Sequence, residues 1–186
     1  DGSCGLGLPA QVLMSEGSNR LLDYCDSVAI RGDTALLGST GQDEDGRWGY
    51  AVVFRRVDGV WMEEARLFGD RHYDPNCFGY SVALGDDIAV VGDYCGIGVF
   101  PDYGSVHVFE RTAGEWRYTD KVSSGIVGFG YSVAVSDRTI LVGSLYEGSD
   151  QSSRGTAYVY TNSGGRLREA AKLEPDEDRP GGWADQ

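Results

Sequence analysis

Histidine is scarce in this chain, with only His72 and His107 available. GxSxG, HExxH, a Walker-type glycine loop and a GxGxxG run ahead of a helix are all missing. A catalytic reading would need a cluster of nucleophilic or titratable groups in defined roles, and those parts are not in evidence. No stretch approaches the roughly 18 to 20 apolar residues of a membrane-spanning helix. The N-terminus lacks the basic-then-apolar order of a signal peptide. Positive charge is also short: 16 Lys and Arg stand against 29 Asp and Glu, giving a net charge of −13 with no basic run. A phosphate backbone would be repelled, so nucleic acid is not an expected partner.

Glycine and tyrosine are plentiful, at 28 and 11 residues, while long helix formers are few. That balance predicts short strands joined by tight turns in a globular domain whose 41% hydrophobic content supplies a core. The four cysteines, Cys4, Cys25, Cys77 and Cys95, form no CxxC pair, and two histidines are too few for a common zinc pattern. Two disulfides are expected instead, with Cys4 to Cys25 and Cys77 to Cys95 preferred because each pair is close in sequence. Free thiols in a cytosolic protein are the alternative.

The chain repeats itself. "DSVAIRGDTALLG" (26–38), "YSVALGDDIAVVG" (80–92) and "YSVAVSDRTILVG" (131–143) align without a gap, their serines 54 and 51 residues apart. Downstream follow "GYAVVF", "GSVHVF" and "GTAYVY", ending on Phe54, Phe109 and Tyr160. Seven residues later stand Trp61, Trp116 and Leu167, and six beyond those Leu67, Val122 and Leu173. Each unit therefore holds four short runs of strand-like alternation separated by turn residues. Four antiparallel strands recurring at about 50 residues predict an all-β fold of β-propeller blades, at 26–67, 80–122 and 131–173. The recurring aromatics are expected in the core between blades. Arg31-Gly32-Asp33, which has the letters of an integrin ligand, aligns with Gly85-Asp86-Asp87 and Ser136-Asp137-Arg138. Turn chemistry accounts for it as a first hairpin, on the side opposite the long loops.

"CFGYSVALGDDIAVVGD" (77–93) and "GFGYSVAVSDRTILVGS" (128–144) resemble FG-GAP repeats, the blades of integrin α-subunit propellers and related surface proteins. The first unit departs from the pattern, with Asp23-Tyr24-Cys25-Asp26 where the others read Phe-Gly-Tyr. The resemblance implies a propeller that serves adhesion or ligand binding, seldom catalysis, in an extracellular or secretory-lumen setting. It also implies calcium in an expanded DxDxDG hairpin, but the three first hairpins here are too short to wrap an ion wanting six to eight oxygens. Asp43 and Asp45, with Glu44 between them, form an acidic run that could hold calcium weakly; a solvated acidic loop is the alternative. No other cofactor is expected.

Residues 1–10 form a lead segment, and "QVL" at 11–13 stands where an outer strand would precede the first repeat. Residues 174–186 read as a connection towards another blade. Three complete blades and an orphan outer strand do not close a ring unaided. Either a longer propeller or a partner that completes the ring is expected, a homodimer of three-bladed halves being one solution. The long connections share one face and carry Trp48, Arg71, His72, Tyr73, Tyr94, Phe100, Tyr103 and Tyr146. Aromatics beside Asp and Arg suit a protein epitope and also a sugar. The three loop sets differ in length and content, which favours protein assembly or adhesion over a lectin with one pocket per repeat.

Overall fold

The computed structural model describes residues 25–70, 77–94, 104–126, 128–145 and 155–174. These residues form twelve strands and no helix. The first sheet comprises β1 (Ser27–Arg31), β2 (Thr34–Gln42), β3 (Trp48–Val57) and β4 (Val60–Leu67). In the second sheet are β5 (Phe78–Leu84), β6 (Ile88–Asp93), β7 (Ser105–Thr112) and β8 (Glu115–Ser123). The third is built from β9 (Phe129–Ser136), β10 (Thr139–Ser144), β11 (Thr156–Ser163) and β12 (Arg166–Leu173). Every sheet is an antiparallel meander in sequence order, as four alternating runs joined by short turns require. These are the three blades read from the repeats. The orphan strand at 11–13, the lead segment 1–10 and most of the connection 174–186 lie outside the described residues.

The repeat register is kept in fine detail. Arg31 pairs with Thr34 across Gly32 and Asp33, and Ser136 pairs with Thr139 across Asp137 and Arg138. Gly32 (φ 57°) and Asp137 (φ 51°) supply the left-handed conformation that two-residue hairpins need. Between the third and fourth strands each blade has a register shift at the same place: Val53/Phe54, Val108/Phe109 and Val159/Tyr160. One extra residue there bends the outer strand around its neighbour.

Each blade has a leading face, turned towards the preceding blade, and a trailing face, turned towards the next. Leu36, Ala51, Val53 and Leu67 on the trailing face of blade 1 pack against Val82, Leu84, Ala89, Val91 and Phe109 on the leading face of blade 2. Val90, Val106 and Val108 repeat that contact against Ile140, Val142, Tyr158 and Tyr160 of blade 3. Full burial of each such aliphatic side chain contributes about 1.5 to 3 kcal/mol, so these two interfaces hold the described arc together. Phe109 and Tyr160 are buried between blades as expected, with Trp116 and Leu167 at the cluster edges; Phe54 is buried instead on the leading face of blade 1, in a cluster with Ala35, Leu37, Tyr50 and Val52 against which Trp61 and Phe68 pack. His107 is fully buried, its ring edge-on to Phe78 and its Nε2 3.1 Å from Ser105 Oγ; it belongs to the interface between blades 1 and 2. The described blades form an open arc, not a closed ring.

The cysteines correct one expectation. Cys25 is a free, exposed thiol, so the bridge from Cys4 to Cys25 is not formed. Cys25 instead occupies the repeat position held by Gly79 and Gly130, with the same left-handed backbone: φ is 82°, against 95° and 86°. Partial desolvation and the neighbouring Asp26 carboxylate push its thiol pKa up, which leaves less of it as the reactive thiolate. Cys77 is disulfide-bonded; Cys4 and Cys95, the two cysteines left for it, lie outside the described residues.

Candidate functional site

In each meander the start of the first strand, the end of the second, the start of the third and the end of the fourth share one rim. The long connections leave from this rim. Of the loop residues expected there, Trp48 opens β3, half-buried and paired in register with Gln42, and Tyr94 follows β6. Arg71, His72, Tyr73, Phe100, Tyr103 and Tyr146 lie outside the described residues.

Tyr94 does not stand alone. Its ring centroid is 4.2 Å from that of Tyr80 and 5.6 Å from that of Tyr131, and Tyr80 lies 5.2 Å from Tyr131. Tyr80 and Tyr131 occupy one repeat position, directly after the glycine of Phe-Gly-Tyr, so adjacent blades bring them together on the same rim. A hydrogen bond with Tyr131, then burial, then the nearby Tyr94 and Asp26, push the Tyr80 phenol up to about 12. Tyr80 is therefore neutral at physiological pH, and the three rings make an apolar platform with hydroxyl donors, suited to stacking and hydrogen bonding. Asp26 takes this repeat position in blade 1 and accepts from Thr40 N at 2.6 Å and Thr40 Oγ1 at 2.8 Å. Sequence reasoning passed over Tyr80 and Tyr131 because they sit inside the repeat signature. Their recurrence one residue past the glycine was the available signal.

The acidic run is organised around arginine. Asp43 Oδ1 accepts the backbone N–H groups of Asp45 at 3.0 Å and Arg47 at 2.8 Å, while its Oδ2 lies 2.7 Å from an Arg47 Nη. Asp45 also pairs with Arg47, at 2.9 Å, and Glu44 pairs with Arg66, at 2.8 Å. Burial works against the charged Asp43, but the bonds from Arg47 and Asp45 outweigh it and hold the carboxyl below its ordinary value. Among the described residues no three His, Cys, Asp or Glu side chains gather as a metal site. The Arg47 guanidinium bridges the Asp43 and Asp45 carboxylates.

On the opposite rim the Arg-Gly-Asp triplet forms the first hairpin, as its alignment implied. Arg31 Nε donates to Asp86 of blade 2 at 2.8 Å, and Asp33 accepts from Arg56 at 2.8 and 2.6 Å. The two charges are turned to different partners within the blades.

The contact between blades has its own small machinery. Ser27 Oγ donates to the Gly79 carbonyl at 2.8 Å, and Ser81 Oγ donates to the Gly130 carbonyl at 2.7 Å. Each acceptor carbonyl sits over a glycine of the preceding blade: a Cβ on Gly38 would stand 2.0 Å from Gly79 O, and one on Gly92 would stand 2.2 Å from Gly130 O. The entering glycine is held as tightly, since a Cβ on Gly79 would meet Tyr50 O at 2.6 Å and Ser39 N at 2.7 Å. Phe78 and Phe129, beside these glycines, are fully buried. A Phe-Gly pair followed by Ser and a later Gly is thus the lock between successive blades.

Residues 61–109 and 124–160 match the FG-GAP repeat family. These two stretches fit FG-GAP repeats. No curated protein shows significant similarity to it. FG-GAP repeats occur in integrin-like adhesion and binding modules, and both matched stretches run through the glycine–serine lock described above. Among the described residues no helix is long and apolar enough to cross a membrane.

Proposed function

We propose that this FG-GAP chain is a non-catalytic binding and assembly module of the extracellular or secretory-lumen environment, which engages protein through the open face of its third blade. One observation carries the reading. Leu141 and Leu173 on the trailing face of blade 3 are 38% and 47% exposed, while Leu36 and Leu67 at the same positions of blade 1 are 0% and 3% exposed. Residues that form an interface twice along the arc, left open a third time, make an apolar surface fit for another polypeptide. A dye of apolar surfaces, anilinonaphthalene sulfonate, should fluoresce with the natural chain. It should lose most of that signal with Leu141→Lys/Leu173→Lys, with little change in the melting midpoint. An equal signal from both proteins would sink the reading.

A carbohydrate-binding reading is supported by the tyrosine cluster, where Tyr131 is 39% exposed beside the rings of Tyr80 and Tyr94. Sugars stack their C–H faces on such platforms. On a glycan array, binding of one sugar series that disappears with Tyr131→Ala would establish it in place of protein assembly. The expected result is no such series.

A further inference from the structure

The outer strands β4, β8 and β12 each end a sheet. Among the described residues β4 pairs with β3 alone, β8 with β7 and β12 with β11. A strand edge offers its unpaired N–H and C=O groups to any extended chain, and proteins commonly guard such edges with charge. Blades 2 and 3 are guarded in this way. At the tip of the outer hairpin blade 2 exposes Thr112, Glu115 and Arg117, and blade 3 exposes Ser163, Arg166 and Arg168. Blade 1 carries Val57, Val60 and Met62 at the same repeat positions, and they are 47%, 52% and 58% exposed.

Register gathers these three side chains into one strip. Val57 stands opposite Val60, and Met62 lies two residues along β4, so all three turn to the same side of the sheet. The register shift of this strand pair falls beyond them, at Val53/Phe54. The tip is therefore regular strand. Arg66, the only Lys or Arg in β4, is 15% exposed at its side chain and is held by Glu63 at 2.6 Å and Glu44 at 2.8 Å. It leaves the tip of this edge without a guarding charge.

Charge indicates which kind of segment suits the edge. Asp58, in the turn between Val57 and Val60, is exposed and forms no ion pair among the described residues. Arg55 forms none either, but it is half-buried on β3, one strand in from the edge. The chain as a whole carries −13, so its field draws a cationic segment and opposes a second copy.

We propose that the β4 edge of blade 1 accepts an extended segment of another protein as a fifth strand, with alternate apolar side chains beside Val60 and Met62 and a Lys or Arg beside Asp58. Main-chain hydrogen bonds along β4 hold the segment, and the apolar strip decides which of its faces turns to that side. This surface is separate from the open face of blade 3 and does not depend on it.

The probe is the capped peptide Lys-Val-Thr-Val-Thr-Val-Lys, added to the natural chain while amide hydrogen exchange is followed residue by residue. Exchange of the amides from Val60 to Glu64 should slow by about fivefold or more at saturating peptide, with no change at β8 or β12. The same peptide N-methylated at its five central residues should give no protection, and one with Glu in place of both Lys should bind more weakly. Val60→Glu/Met62→Arg, which gives blade 1 the residues of blade 2, should weaken binding by about tenfold while circular dichroism shows the fold kept. Glu115→Val/Arg117→Met should open a second site on β8. Leu141→Lys/Leu173→Lys should leave peptide binding unchanged, so a failure of the blade 3 reading is separable from a failure here. No protection of β4, binding that survives N-methylation or the blade 1 exchange, equal binding of the Glu peptide, or loss of binding in the blade 3 variant would overturn the proposal. So would a dimer of the natural chain that Val60→Glu/Met62→Arg dissolves, because a second copy would then occupy the edge.

Discussion

Blades 1 and 3 present one set of trailing residues to two different surroundings. In blade 1, Leu36 has no solvent exposure because Val82, Val91 and Phe109 share its cluster; in blade 3 the matching Leu141 is 38% exposed. Burial here depends on the neighbour and not on the residue, so the same leucine contributes a large stabilisation at one site and a small one at the other. What looks like core by composition is, at the end of the described arc, an exposed apolar surface.

The widest expected gap comes from glycine. Gly38→Ala would place a methyl group 2.0 Å from a backbone carbonyl of blade 2, whereas at Gly143 the nearest atom is the hydroxyl of Ser132 within the same blade. A serine side chain can rotate away and a paired backbone cannot. Chemical denaturation should show Gly38→Ala losing about 3 kcal/mol, and Gly143→Ala losing well under half of that. Equal losses would break the comparison between filled and open locks.

A smaller effect, confined to blade 1, sharpens the comparison from the other side. Asp43 is 1% exposed at its side chain and anchors the connection between β2 and β3 through Arg47. Asp43→Asn should cost about 1 kcal/mol at neutral pH and leave the dye signal of blade 3 unchanged. Because folding lowers the Asp43 pKa from its ordinary 3.8, its ionised form stabilises the fold above that value. The contribution fades as pH falls through the depressed folded value, so variant and natural chain should converge in acid. A gap that persists or widens below pH 3.8 would contradict the assignment.

Most of the fold was legible in the repeats. Three aligned segments fixed the strands, the hairpin register and the order of each sheet, because a period of two allows no slip once one face is buried. The site was less legible, and for a physical reason. Alternation tells which residues share a face, but only packing tells which of the two faces meets a neighbour. The identity of the Leu36 and Leu141 faces was therefore in the sequence without its meaning. Cys25 misled in another way: a cysteine invites a disulfide, whereas this one is free and takes a position that glycine holds in the other two blades, with the same left-handed backbone. Tyr80 and Tyr131 were hidden by regularity, since a residue inside a repeat signature is easily taken for scaffold. The integrin-ligand letters at 31–33 resolved the other way, into a hairpin whose charges turn to Asp86 and Arg56.

The account's central claim is that an identical face is core in blade 1 and an open surface in blade 3. Urea unfolding of Leu36→Ala and Leu141→Ala, measured side by side, tests it with one chemical change at two equivalent positions. Leu36→Ala should lose about 2 to 5 kcal/mol, in the range of buried leucine truncations, and Leu141→Ala less than about 1 kcal/mol. Losses of the same size at both positions would mean that the trailing face of blade 3 is already covered, which would contradict the account.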